Sequence, residues 1–192
     1  MEKIKLGQYP YLYPMPTVIV GAMVDEVPNF ITVSYIGIVQ HQPPMLSITL
    51  TDSHFTNRGI AENKCFSVNI PNTKMLRVTD YIGMNSGQGV DKSAIFDIFY
   101  GELEKAPMIK ETPLNLECRL YKQIDLNNGS QIYIAEIIQS YSEKKYLKNN
   151  RPYMRKLKPI LFSINNNLYY NTGRVIGKAW NIGLKYVPKK KK

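Results

Sequence analysis

The residues of this chain best suited to chemistry stand in one short run. Ser53-His54-Phe55-Thr56, with Arg58 two positions on, sets two hydroxyls, an imidazole and a guanidinium between the apolar stretch Met45–Leu50 and a segment of helical composition, His54–Lys64. A helix N-terminus presents unpaired backbone N–H groups and the positive end of the helix dipole, so it favours an anion. Hydroxyls on the same turn add donors, and a phosphate fits that set. The same spacing suits a plain cap, with Ser53 bonded to a backbone amide and Thr56 facing solvent. Spacing alone leaves the two readings open.

Other catalytic constellations are missing from the sequence. There are two histidines, and no H-E-x-x-H, G-x-S-x-G or G-x-x-x-x-G-K-[ST], which argues against hydrolytic and metal-based chemistry. Gly83, Gly87 and Gly89 include a G-x-G, but they follow a helical segment and not a strand, the wrong setting for a dinucleotide-binding turn. Cys65 and Cys118 stand far apart in apolar strands; they read as buried thiols, with no zinc or disulfide pattern.

The elements that must position the Ser53–Thr56 run are mostly strands. Thr17–Val24 and Asn29–Val39 are rich in apolar and β-branched residues and read as adjacent strands joined by a turn around Asp25–Pro28. Leu114, Leu116, Cys118 and Leu120 alternate with polar residues, the period of a half-buried strand. Asn128-Gly129 then supplies hairpin-turn chemistry before the strand Gln131–Tyr141, and a further strand starts at Ile160. The two main helical segments are His54–Lys64 and Lys74–Met84. Many strands of even length with few helices predict a mainly β fold, a closed or partly closed β-barrel.

The 192 residues suffice for one sizeable core, so a single domain is expected over 1–188 with a disordered lysine tail at 189–192. The apolar fraction of 44% and charged fraction of 21% are those of an ordinary globule. No apolar run approaches the ~20 residues of a membrane span, and no leader pattern opens the chain; no membrane association and a cytoplasmic location are expected. The net charge of +10 is uneven. Part lies in the lysine run, and part in Lys144, Lys145, Lys148, Arg151, Arg155, Lys156 and Lys158, interleaved with Tyr146 and Tyr153. Such a mixture suits a phosphate backbone with rings for stacking, but no nucleic-acid-binding signature accompanies it. A basic surface loop is the plainer reading, and no nucleic-acid partner is expected.

Five ordered blocks, "YPMPTVIVGAM", "NFITVSYIGIVQHQPPMLSITL", "SHFTNRGIAENKCFSVNIP", "DYIGMNSGQGVDKS" and "LYYNTGRVIGKAWNIG", span Pro14 to about Gly183. In this order they resemble the flavin reductase-like proteins of the flavoredoxin group. The resemblance implies an FMN-binding split β-barrel that works as a homodimer, with each flavin near the subunit interface. It places Thr32, Ser34 and Tyr35, with Asn29 and Val33 of the same segment, beside the flavin. Ser53, His54 and Thr56 fall on the phosphate-holding block, with histidine where arginine is common and Arg58 nearby to compensate. Asn69 and Pro71 match a strand end, Ser86, Asp91 and Lys92 match a loop over the flavin, and Tyr170 matches a late block.

The implied activity is electron transfer from NADH or NADPH through FMN to an acceptor, which a redox protein could be. The flavin does the hard chemistry, so no protein acid or base is expected. Lys92 reads either as a charge that stabilises reduced flavin or as a surface lysine on a mobile loop. Tyr35 and Tyr170 read either as ring contacts or as core and interface residues. Two further readings stand beside the reductase: an FMN-bound electron carrier without its own nicotinamide site, and a basic nucleic-acid-binding barrel.

Overall fold

Strands carry most of the chain that the computed structural model describes, residues 2–127 and 129–188. In chain order they are β1 (Met15–Pro16), β2 (Val18–Val24), β3 (Val27–Val33), β4 (Ile36–Gln40), β5 (Met45–Thr51), β6 (Cys65–Ile70), β7 (Ile98–Phe99), β8 (Met108–Ile109), β9 (Leu114–Asp125), β10 (Ser130–Ser142), β11 (Leu147–Lys148), β12 (Arg151–Pro152), β13 (Leu161–Ser163) and β14 (Leu168–Tyr170). Helix α1 (Thr56–Asn63) joins β5 to β6, α2 (Leu76–Met84) follows β6, and α3 (Met154–Leu157) precedes β13.

Seven strands form one antiparallel sheet in the order β3-β2-β6-β9-β10-β5-β4. Its outermost strands, β3 and β4, are consecutive in the chain and separated only by Ser34-Tyr35, so the chain itself closes the sheet into a barrel. The amide of Thr49 in β5 bonds the Tyr35 carbonyl at 2.9 Å across this seam. The expected strand Asn29–Val39 is thus one bent segment that exchanges partners midway, pairing with β2 before the bend and with β5 after it. Sequence periodicity reports faces and not partners, which is why the break is invisible in it.

All seven residues of β2 are buried. Alternation sends Val18, Val20 and Ala22 into the barrel beside Phe66, Val68 and Tyr133, while Ile19 faces outward and packs with Phe30 and Ile82 of α2. Burial on both faces explains a strand without polar alternation. Ile60 of α1 joins the barrel interior. Cys65 and Cys118 are free and buried, as expected, and burial holds the Cys118 thiol well above its ordinary pKa.

The β2–β3 turn is tighter than expected. Asp25 and Glu26 both have positive φ, the geometry of a two-residue hairpin turn, and Pro28 pairs with Met23 within the ladder. Proline is tolerated there because β3 ends the sheet. In the β9–β10 hairpin Gly129 has φ +86°; Asn128, the other half of the expected turn, lies outside the described residues, as does the expected tail 189–192.

Two buried polar clusters fix loops to the barrel. The Glu117 carboxylate, fully buried in β9, accepts the amides of Glu102 (3.1 Å) and Leu103 (2.6 Å) and the Tyr141 hydroxyl (3.0 Å). Asn69 accepts the Ile109 amide at 3.0 Å and an Asn115 side-chain N–H at 2.7 Å.

Candidate functional site

Three adjoining clefts surround the start of α1. The first, about 230 Å³, is lined by Asn29, Ser53, His54, Thr56, Ser86 and Lys92 among others. The second, also about 230 Å³, is walled by Thr32, Val33, Ser34 and Tyr35 of the seam, by Thr49–Thr51 of β5, and by Met15, Phe162 and Ile164. His54 belongs to both walls. The third, about 400 Å³, shares Asn29, Phe55, Gly87 and Lys92 with the first and adds Asp25 and Asp91.

The first cleft is built from donors. Thr56 is buried, and its Oγ1 accepts the Asn29 Nδ2–H at 2.8 Å, which leaves its own O–H free to donate. The Asn57 and Arg58 amides close onto the His54 and Phe55 carbonyls. Among the described residues no hydrogen bond is formed by the amides of Phe55 and Thr56. His54 Nδ1 is buried without a partner, and burial, then the Lys92 charge, lowers its pKa. The Lys92 ammonium donates to the Phe30 carbonyl at 2.9 Å and the Ile82 carbonyl at 2.8 Å, keeping one N–H to spare. Lys92 is only 3% exposed, and desolvation brings its pKa down to about 8.

Several expectations need correction at this point. Ser53 does not cap α1: the helix begins at Thr56 after a Phe55 that makes no side-chain cap bond, and the Ser53 hydroxyl lies 3.3 Å from that of Thr51. Thr56 does not face solvent, and Lys92 is no surface lysine. Arg58 pairs with Asp25 and is not among the residues lining the first cleft. The Asp91 carboxylate is engaged by the Ser93 amide and hydroxyl, at the margin of the third cleft.

Other predicted residues lie outside all three clefts. Asn69 is committed to the buried network under β8 and β9, and Pro71 is buried just beyond β6. Tyr170 is half exposed on β14 and its hydroxyl accepts an N–H from Asn166 at 3.2 Å. Its neighbour Tyr169, which donates to Asp80 at 2.8 Å, instead lines a fourth cleft of about 340 Å³ with Thr32, Ser34 and Phe162. Residue-by-residue reading missed Phe162 and Gly87. A Cβ on Gly87 would stand 2.1 Å from Asn29 Oδ1, so the loop requires glycine for close approach; its place directly after Ser86 in the loop matched over the flavin was the available signal.

A polar, donor-lined cleft joined through one histidine to a more apolar one accommodates a ligand with an anionic end and a flat, less polar end. The model of the flavin reductase-like domain matches residues 11–174. The chain belongs to the flavin reductase-like family. Within it, the structure is similar to flavoredoxin from Methanosarcina acetivorans, at a TM-score of 0.93 and 42% identity over 95% of this chain and 98% of that one. Flavoredoxin of Desulfovibrio vulgaris (Miyazaki F) superposes with a TM-score of 0.86 and 31% identity, covering 95% of this chain and 100% of the other. An FMN-binding protein from Thermus thermophilus, 20% identical with a TM-score of 0.76 over 93% and 97% of the two chains, shares the fold. That fold is the family's split β-barrel, as expected from the sequence. Among the described residues no helix is long and apolar enough to cross a membrane.

Proposed function

We propose that this chain is an FMN-binding oxidoreductase that passes electrons from NADH or NADPH through its flavin to an acceptor. The observation that carries the reading is His54, the wall common to the donor-lined and the apolar cleft. The residues present fit FMN: the unpartnered His54 Nδ1, a donor in the Nδ1–H tautomer, the free Thr56 hydroxyl and the spare Lys92 N–H are groups that a phosphate satisfies. When bound, the flavin would supply the redox chemistry between nicotinamide and acceptor.

The protein's residues bind and orient. Lys92 is largely protonated at neutral pH and meets the phosphate end; it lines the first and third clefts and not the second, so its charge serves the phosphate more directly than the ring. Asn29 orients Thr56. Thr32, Val33, Ser34 and Tyr35 wall the ring's place at the barrel seam, and Phe162 closes it from β13. Asn69 and Pro71 act by holding the barrel, at one remove from the ligand.

A homodimer is part of the proposal. Strand β4 leaves Ile38 74% exposed at a sheet end, and Ile4, Leu12, Ile176 and Trp180 on the two chain arms are still more exposed, apolar surface that a second copy would cover. Sedimentation of a monomer holding one tightly bound FMN would refute shared sites. The proposed activity is tested by mixing FMN-loaded protein anaerobically with NADH or NADPH. Bleaching of the flavin is expected; an FMN-loaded protein that neither nucleotide bleaches would overturn the reductase reading in favour of a carrier reduced by protein partners, and a protein that retains no flavin would overturn both.

A further inference from the structure

The cations of the basic stretch 144–158 are not equivalent. Lys145 pairs with Glu143 at 2.7 Å and lies over the Tyr146 ring, Lys148 lies over Tyr153, and Lys156 donates to the Leu147 carbonyl at 2.6 Å. These cations hold their own small hairpin and turn together. Arg155 and Lys158 do not take part. They converge with Arg174, from the segment after β14, on a cleft of about 480 Å³ completed by Thr73, Asn171, Thr172 and Gly173. No carboxylate lines it, and among the described residues none of the three cations makes an ion pair.

Three exposed cations from two chain segments line this one cleft together with uncharged Thr and Asn side chains, and a cleft lined by one sign of charge concentrates anions. The cleft is concave, which favours a compact ligand over a flat macromolecular surface. Arginine forks match phosphate oxygens in particular. β14 links this cleft to the flavin site: Tyr169 and Asn167 line the fourth cleft, which shares Thr32, Ser34 and Phe162 with the apolar one, and Asn171–Arg174 follow directly. From Tyr169 to Arg174 the chain spans at most about 18 Å, a reach that an extended dinucleotide covers.

We propose that the cleft of Arg155, Lys158 and Arg174 binds the phosphate-bearing adenosine end of the nicotinamide donor and favours the 2′-phosphorylated dinucleotide. This rests on the reductase reading for the identity of the donor. An adenosine end with only the shared pyrophosphate leaves one or more of the three cations without a partner; a 2′-phosphate supplies it.

The probe is 2′,5′-ADP, titrated calorimetrically into purified protein as isolated, with 5′-AMP as the comparison and flavin content measured on the same samples. The wild type is expected to bind 2′,5′-ADP more tightly than 5′-AMP. Arg155→Ala and Arg174→Ala are each expected to weaken 2′,5′-ADP about tenfold or more, because a hydrogen bond to a charged group is lost, without changing flavin content. In flavin bleaching the same variants should raise the NADPH concentration needed for half-maximal rate and leave the limiting rate unchanged. No binding of 2′,5′-ADP by the wild type, or equal binding by the variants, would overturn the proposal. A flavin-free protein that binds 2′,5′-ADP through these residues would uphold the cleft and sink the flavin reading, whereas bleaching by NADPH with no 2′,5′-ADP binding would do the reverse.

Discussion

Asn29 donates its side-chain N–H to Thr56 Oγ1 at 2.8 Å, a bond between β3 and the first turn of α1 that leaves the threonine's own hydrogen free to donate where Thr56 lines the donor-lined cleft. If that hydrogen meets the FMN phosphate, Thr56→Val should weaken FMN by about tenfold to somewhat over a hundredfold, the range set by a hydrogen bond of roughly 1.5–3 kcal/mol to a charged group. Riboflavin has the same ring and no phosphate, so its affinity should hold. Ser53→Ala should follow the same pattern with a smaller loss, since the Ser53 hydroxyl is exposed and near Thr51. Fluorescence titration of both flavins decides it: equal losses for the two would move the phosphate elsewhere.

Lys92 gives this site a pH signature. Its pKa, brought to about 8 by burial, must rise when a phosphate binds beside it, because an opposite charge favours the protonated form. Below pH 8 the amine is already charged and contributes little pH dependence. Above pH 8 binding has to take up a proton, so FMN affinity should fall by up to about tenfold per pH unit, while riboflavin affinity stays flat. Lys92→Arg should remove the fall. An FMN affinity that is level from pH 7 to 10 in the wild type would dismiss Lys92 as a phosphate ligand.

Gly87 and Gly89 make a matched pair. A Cβ at Gly87 meets Asn29 Oδ1 at 2.1 Å, whereas one at Gly89 comes no nearer than 4.0 Å to the Ser86 carbonyl. Gly87→Ala should therefore displace Asn29, release Thr56 and lower FMN affinity by about tenfold or more, as when a donor to the phosphate is lost. Gly89→Ala should bind as the wild type does. Equal affinities in the two variants would argue that the loop yields and that Asn29 has no orienting role.

Tyr141→Phe tests the fold apart from the site. It removes one of three donors to the buried Glu117 carboxylate and should cost about 1.5–3 kcal/mol in urea unfolding, with flavin affinity unchanged. A loss of flavin binding in proportion to stability would tie this cluster to the site after all.

Much of this was legible in the sequence because it depends on local pattern. The alternation of Leu114 to Leu120, the turn chemistry near Gly129 and the crowding of polar groups at Ser53–Thr56 all act over a few residues. What escaped depends on meetings across the chain. Arg58 is drawn off by Asp25, 33 positions away, and Asn69 is claimed by Asn115, 46 positions away; neither partner is marked by spacing. Lys92 reads either as a charge beside the flavin or as a surface lysine, because lysines are usually exposed, and only the convergence of the Phe30 and Ile82 carbonyls, invisible in the sequence, makes its burial tolerable. The partner exchange at Ser34-Tyr35 was hidden for a similar reason, since both halves of that strand carry the same kind of residues.

That exchange also sets where the molecule is weakest. A barrel closed by a single bent segment has one joint at which ladder bonds are sparse, and local opening in proteins begins where such bonds are few. The joint is also a wall of the apolar cleft, so anything seated there bridges the two sides of the barrel like a rivet. Losing that ligand and loosening the barrel then become a single event, and amide hydrogens of β3, β4 and β5 should exchange with solvent together, faster once the cleft is emptied.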